Sequence, residues 1–518
     1  MIFGTPKTPS AAPAESAAIK ILAFLAVTLV FFCFANHYIV YDEGLWSYVA
    51  RVWIHQGIPP YTGAMENKTP GIFLIYTLST LAGTGFILPR LLAAALLCTG
   101  GFCIYRIGTL LADTEAGLWS LAFYSALLAL RKTDMLNVGP TDSYLLSFAS
   151  MAFLLYAARG SRKLRVLYSG LAIGAAIAFK QIAVLPFAAL CIWPWLSGLS
   201  WREAKADSAR IIAGALIVNI AVVLPLLACG MPLRDYFDGA WFSLLHIGTP
   251  KALMLGIGRI FPHGPAIQQT VNTAAAIATA ATPGQGAVTG RLAMAFHAWA
   301  GLLWFLPGVL WFVLDKKSAN SPAARKMLLL WLLCDFIGVN ASAQYFPHQF
   351  KQIIPSLALV CGLSCARAAQ LLKLEAAKSR AYAMAFAILF LSGAMMATER
   401  RLPQLFSGPD GFMAGMAARM QTKPGDLVYI SECRSSSAQF YSERFSPSRY
   451  FNTIFIYGQR QQDEVLSALE KKPPELILVL DAAPQWLARY ISGNGYKKCL
   501  TYRNYEFLRR PDGAAARI

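Results

Sequence analysis

The hydrophobic positions of this chain fall in long blocks, and the polar positions collect between them. Eleven apolar runs stand out, at 21–38, 88–105, 117–130, 144–158, 166–180, 183–199, 211–229, 292–314, 327–343, 353–369 and 381–397. A helix that crosses a bilayer upright needs about 20 such residues. Several runs are shorter, so their boundaries are soft, but the pattern predicts eleven membrane crossings. The basic residues test that count. Arg159, Arg162, Lys163 and Arg165 follow the fourth run, Lys316, Lys317, Arg325 and Lys326 the eighth, and Arg367, Lys373, Lys378 and Arg380 gather around the end of the tenth. All three clusters fall on one side, which the positive-inside rule makes cytoplasmic. The apolar stretch 72–81 would reverse the first cluster if it crossed, so it predicts a helix lying in the outer interface.

This count divides the chain. Residues 1–20, rich in Ala, Pro and Ser, predict a disordered cytoplasmic tail. The first run lacks a convincing signal-peptidase site and predicts a retained anchor. Residues 21–397 form the membrane domain, with outer loops at 39–87 and 230–291, the latter including the Ala/Thr/Gly-rich stretch 270–290. Residues 398–518 end outside as a soluble domain. There "DLVYIS", "ELILVLD" and "YEFLRR" predict strands, while "QQDEVLSALEKK" and "PQWLARYIS" predict helices. The expected fold class is therefore a polytopic α-helical membrane protein with a small C-terminal α/β extracytoplasmic domain. No internal repeat is evident.

Composition narrows the class. Only 14% of the 518 residues are charged and 56% are hydrophobic, against about 25% charged in soluble domains. The net charge of +19 raises the question of nucleic acid, but the cations cluster between apolar runs and no recognition motif accompanies them. They read as orientation signal and phospholipid contact. Eight of the ten cysteines lie in or beside apolar runs, as small core residues do. Cys433 and Cys499 fall in the outer tail, where a disulfide and two free thiols are both open.

The most informative stretch is "YDEGLWSYVARVWIHQGIPPYTGAMENKTPG", at 41–71, just after the first run. Residues 44–57 fit one helix, with Leu45, Val49, Val52 and Trp53 on one face and Ser47, Arg51 and His55 on the other, the pattern of an interfacial amphipathic helix. Asp42 and Glu43 precede it. Simple capping by way of the helix dipole would account for them.

This stretch, continued by "ENKTPGIFLIY" and "LPRLLAAAL", resembles the first outer loop of bacterial GT-C glycosyltransferases, the group of dolichyl-phosphate-mannose protein mannosyltransferases and lipid A aminoarabinose transferases. Three further stretches fit in order. "PTDSYLLSF" resembles the second acidic loop motif, "GLAIGAAIAFKQ" the glycine-rich segment ending in Lys, and "QYFPHQFKQIIPSLAL" the late His-containing loop. Two departures stand out: the usual Lys-Pro-Pro is Lys68-Thr69-Pro70, and Gln349 stands where His-Tyr is common, so no role of that Tyr carries over.

The resemblance implies a GT-C fold and transfer of a sugar from a polyprenyl-phosphate donor to a lipid, glycan or protein acceptor on the outer face of the bacterial inner membrane, with inversion. Such a reaction needs a carboxylate to take the acceptor proton and cations to steady the leaving phosphate. Asp42 matches the leading acid and is the candidate base, Glu43 would orient the acceptor, and Asp142 matches the second-loop acid. Lys68, Arg90, Lys180 and His348 are the candidate phosphate ligands. Arg90 would equally snorkel to lipid headgroups, and His348 would equally be a hydrogen-bonded loop histidine. Lys180, between two short apolar runs, is costly there without an anion. Arg131 and Lys132 beside Asp134 form a further outer basic pair, and Lys351 and the stretch "ECRSSSAQFYSERF" are candidate contacts for an acidic acceptor. Asp335, inside an apolar run, matches no family motif; an ion pair across the bundle would explain it.

There is no Asp-x-Asp motif, no glycine-rich phosphate loop and no cytoplasmic segment large enough for a nucleotide sugar. No cofactor is expected; a divalent metal would need Asp42, Glu43 and Asp142 to converge. Two other classes compete. A flippase of lipid-linked sugars would explain the outward cations, but predicts inverted repeats. A polysaccharide polymerase or ligase with a diphosphate-linked donor predicts an outer loop rich in Arg and His, and 230–291 holds few cations.

Overall fold

The computed structural model describes residues 11–35, 38, 42–130, 141–158, 163–243, 299–341, 347–399, 410–431, 437–480 and 482–511. Arg131, Lys132, Asp134, the 270–290 stretch and Cys433 lie outside these residues. In chain order the helices are α1 (Ala11–Ala35), α2 (Asp42–Gln56), α3 (Gly71–Leu81), α4 (Ile87–Leu111), α5 (Thr114–Ala129), α6 (Thr141–Ala157), α7 (Lys163–Phe179), α8 (Val184–Leu196), α9 (Trp201–Ala228) and α10 (Leu233–Phe237). They continue as α11 (Leu306–Leu314), α12 (Pro322–Ala341), α13 (Ile354–Leu371), α14 (Ala376–Glu399), α15 (Asp410–Gln421), α16 (Ser437–Tyr441), α17 (Gln459–Lys471) and α18 (Gln485–Gly493). Each apolar run of the sequence carries a helix. Among the described residues five spans, Pro13–Ala35, Ile87–Leu111, Trp201–Ala228, His348–Leu371 and Ala376–Ala397, are long and apolar enough to cross a membrane.

The chain forms two compact units. The first gathers Met1–Ala35, Pro89–Val222 and Ala281–Leu402. It is held by small residues that let helices approach closely, as suits a solvent where apolar surface alone cannot drive association. A Cβ on Gly170 would stand 2.5 Å from the Ile211 carbonyl oxygen, and one on Gly174 2.6 Å from Ala215 Cα. The glycine-rich segment of α7 is thus the seat of α9. Gly362 on α13 meets the Ser120 backbone of α5 in the same way, at 2.4 Å. Helix α5 starts where Asp113 accepts from the Ala116 N–H at 2.8 Å, a side-chain N-cap.

The second unit gathers Asn36–Leu88, Val223–Ala280 and Pro403–Ile518. Its centre is a four-stranded sheet of β1 (Val428–Ser431), β2 (Leu476–Leu480), β3 (Lys497–Tyr502) and β4 (Tyr505–Arg509), in the order β1-β2-β4-β3. β1 and β2 are parallel, with Val428 opposite Leu476; β4 runs antiparallel to both β2 and β3. Alternate residues point to opposite faces, and both faces are covered. Tyr429, Ile477 and Val479 pack with Val465 and Leu487 of α17 and α18. Val428, Ile430, Leu476 and Leu478 pack with Ala414 and Ala418 of α15. Strand β3 was not in the sequence pattern because it buries no face: Lys497, Lys498 and Cys499 are exposed, so no apolar alternation marks it.

Candidate active site

In the first unit the site is built where helices stop. Helix α7 ends at Phe179, and Lys180 adopts extended backbone (φ −155°, ψ 124°) before the short 3-10 turn Gln181–Ala183. That break turns the Lys180 side chain out of helical register and onto Asp142, whose Oδ1 it grips in an ion pair. Asp142 lies in the first turn of α6 and is 1% exposed. A second 3-10 turn, Pro347–Ile353, leads into α13 and carries His348 and Lys351. Lys351 is fully buried, and its Nζ stands 3.3 Å from Ser143 Oγ. Lys180, His348 and Lys351 all act electrostatically on Asp142. Its Oδ2 is buried without a hydrogen-bond partner among the described residues.

Two ammonium groups and an imidazole thus face one carboxylate. Three basic side chains gathered around one carboxylate suit the binding of an anion. Tyr144 and Phe179 stack beside the pair, 4.4 Å between ring centroids. The Tyr144 hydroxyl donates to the Pro89 carbonyl at 2.7 Å and ties the start of α4 to the start of α6. Arg90 follows directly and is 2% exposed, with Nη1 3.3 Å from the Cys33 carbonyl oxygen. Snorkelling toward lipid therefore does not describe it. Among the described residues Asp335 makes no ion pair across the bundle; Ser356 Oγ donates to its Oδ2 at 2.6 Å. The acid thus braces the start of α13, just past the turn that bears Lys351.

The second unit holds the other group. Asp42 and Glu43 form the first turn of α2 itself, where free N–H groups favour carboxylates. The amphipathic expectation for this helix is only half met. Its apolar face packs on α3 through Trp46 and Tyr76, 5.6 Å apart and edge-on. Its polar face is covered too. Tyr48 packs on Phe451 at 4.4 Å and accepts from the Ser446 N–H at 2.7 Å. Arg51 donates to the Phe440 carbonyl at 2.7 Å, its guanidinium 4.4 Å over the Phe440 ring. Among the polar-face residues, only His55 stays exposed. The C-terminal segment supplies this cover, and a periodicity within 44–57 cannot reveal a partner that lies so far along the chain.

Lys68 sits in the turn before α3, its Nζ 2.9 Å from Asn67 Oδ1 and 3.9 Å from Glu66 Oε1. Glu66, 1% exposed, did not stand out in the sequence. Burial pushes its pKa up to about 7; Lys68 opposes that rise and the negative charge of Asp42 adds to it. Glu66 Oε2 is buried with no hydrogen-bond partner among the described residues. Asp42, Glu66 and Lys68 therefore share one electrostatic environment. A carboxylate two residues ahead of the motif lysine was the available signal. The described residues contain no cluster of His, Cys, Asp or Glu arranged to hold a metal ion.

The fold of this chain is similar to those of several solved membrane glycosyltransferases. The ArnT structure from Cupriavidus metallidurans bound to undecaprenyl phosphate matches at a TM-score of 0.58 and 14% identity, over 95% of this chain and 97% of that one. The archaeal oligosaccharyltransferase AglB from Archaeoglobus fulgidus, in complex with an inhibitory peptide and a dolichol-phosphate, matches at 0.52 and 11% identity, over 92% of this chain and 70% of that one. The arabinofuranosyltransferase AftD from Mycobacteria matches at 0.50 and 12% identity, over 95% of this chain and 40% of that one. No protein-family model and no curated protein matches the sequence.

Proposed function

We propose that this chain is an integral-membrane glycosyltransferase that moves a sugar from a polyprenyl-phosphate donor to a lipid, glycan or protein acceptor on the outer face of the bacterial inner membrane. The observation that carries the reading is the group of buried Asp142 and Lys351 with half-buried Lys180 and His348 inside a GT-C fold. Cations held in a water-poor site stabilise a phosphate leaving group far more than they would in water. In this reading Lys180, His348 and Arg90, joined by Lys351, bind the donor phosphate. Lys68 is a further phosphate ligand. Asp142 holds Lys180 in place and offers its second oxygen to the acceptor.

Asp42 takes the proton of the acceptor hydroxyl as that oxygen attacks the anomeric carbon. The bond to the phosphate oxygen breaks, polyprenyl phosphate leaves, and attack opposite to it inverts the anomeric centre. Glu43 orients the acceptor. The chain crosses the membrane eleven times, with the N-terminus in the cytoplasm and 398–518 outside as an α/β domain. The test is transfer by purified protein in liposomes, offered a panel of polyprenyl-phosphate sugars. Wild type should release polyprenyl phosphate, and Asp42→Asn should keep donor binding while losing about 10²–10⁴-fold in turnover. Equal turnover by both proteins would remove Asp42 from the chemistry. No turnover on any monophosphate donor would sink the reading.

A further inference from the structure

The loop at 57–70, which presents Glu66 and Lys68, is shaped by residues far along the chain. Tyr61 is its pivot. It holds φ +68°, a left-handed conformation that a bulky residue keeps only when its surroundings fix it. Its hydroxyl donates to the Lys68 carbonyl at 2.6 Å and its N–H to the Ala64 carbonyl at 3.0 Å. The ring is fully buried, edge-on to Phe73 at 5.6 Å and to Tyr236 at 6.0 Å. Gly239 must lack a side chain here, since a Cβ would stand 2.3 Å from Tyr61 Cδ1.

Arg449, from the C-terminal segment, closes the arrangement. Its Nη1 donates to the Tyr61 carbonyl at 3.4 Å, and its own carbonyl accepts from the Met65 N–H at 2.8 Å. The guanidinium pairs with Glu464 at 2.6 Å and with Asp235 at 3.2 Å, and Asp235 in turn accepts from Thr62 Oγ1 at 2.9 Å. Met65 inserts its side chain into the core formed by Tyr429, Tyr450, Phe455 and Val465. The residue directly before Glu66 is therefore part of the hydrophobic core of the tail.

We propose that Arg449 is a positioning residue that makes the C-terminal segment a clamp on the Lys68 loop. The planar fork of an arginine, with five N–H donors, grips a carbonyl and two carboxylates at once in a fixed geometry that an ammonium matches only in part. The clamp fixes Tyr61, and Tyr61 fixes the Lys68 backbone through its hydroxyl. This inference rests on the reading of Lys68 as a ligand of the donor phosphate.

The experiment uses full-length protein in nanodiscs, comparing wild type with Arg449→Lys, Arg449→Met and the milder Tyr61→Phe. Hydrogen exchange of peptides covering 57–70 reports the clamp without any need for turnover. Affinity for undecaprenyl phosphate, read by native mass spectrometry, reports what the clamp does for Lys68. Arg449→Met should speed exchange in 57–70 by about tenfold and weaken undecaprenyl phosphate binding about tenfold, while peptides of α5–α7 exchange as in wild type. Arg449→Lys should recover part of both effects, and Tyr61→Phe should weaken binding less than Arg449→Met does. Unchanged exchange of the loop in both Arg449 variants overturns the proposal. So does a loosened loop with unchanged affinity, which would leave Arg449 as structural support alone. Failure of wild type to transfer any sugar counts against the proposed activity and leaves both of these readouts standing.

Discussion

The two groups of charged side chains, one in each unit, use the same ingredients in opposite proportion. Around Asp142 the basic side chains of Lys180, His348 and Lys351 gather on a single acid. Around Glu66 the acids outnumber the cation, with Asp42 raising its pKa and Lys68 opposing that effect. The first suits an anion; the second suits a group that accepts or shares a proton. They also differ in how they are built. Asp42, Glu66 and Lys68 come from one short stretch of chain, a helix end and a turn, which distant residues then hold in place. Asp142, Lys180, His348 and Lys351 come from three separate helix boundaries, and only the fold assembles them. The difference shows that charge balance, and not the count of charged residues, separates the tasks of the two groups.

The largest expected effect breaks the cation-rich group. Lys180→Met leaves Asp142 buried without its ion-pair partner, and removal of one partner of such a pair costs about 3–5 kcal/mol. Thermal unfolding in detergent should register the loss, and transfer should fall by about 10²–10³-fold. The double variant Asp142→Asn with Lys180→Met should regain most of the stability and none of the transfer. If the double variant is also active, the pair is structural and the contrast collapses.

The next prediction sharpens the acid-rich side. The Glu66 carboxyl is raised to about 7 in the folded protein, against about 4.3 in an unfolded chain. Below the unfolded value both states are protonated and the group costs nothing. As pH rises from there, the unfolded state ionises first and stability falls, until the folded group also ionises near pH 7 and the curve flattens. The loss is on the order of 3 kcal/mol across that window. Melting curves of wild type and Glu66→Gln between pH 4 and 8 check it: the wild-type decline should flatten in the variant. An equal slope in both would take Glu66 out of the acid-rich group.

The smallest effect concerns the frame of the cation-rich group. Tyr144→Phe removes the hydrogen bond to the Pro89 carbonyl and should cost about 1 kcal/mol. The stacking on Phe179 stays, so turnover should change only modestly. A loss as large as that of Lys180→Met would make the tyrosine part of the chemistry.

How far the sequence revealed this molecule follows from the same contrast. Apolar blocks announce helices directly, because a run long enough to sit in lipid leaves few other conformations. The parallel core strands of the tail were legible as short runs of Val, Ile and Leu, whereas β3, an exposed edge carrying Lys497 and Lys498, had nothing to bury and left no pattern. Asp42 and Lys68 could be singled out within one quoted stretch. Glu66 could not, because its perturbed state depends on burial beneath distant residues. Lys351 and Asp335 were visible as residues, but the sequence could not say that one faces Ser143 or that the other braces the turn into α13. Side-chain roles set by local chain geometry can be read from neighbours. Those set by tertiary burial cannot.

The tie between Arg449 and Tyr61 spans 388 positions of sequence. A ribosome adding about 5–20 residues per second finishes the loop long before it makes the arginine. For on the order of half a minute the loop exists with its keystone still unmade. The order of synthesis thus matters: a chain stalled before Arg449 can place α1–α16 and still lack the part that sets Lys68. Synthesis of the last fifth of the chain is then also the moment of commissioning.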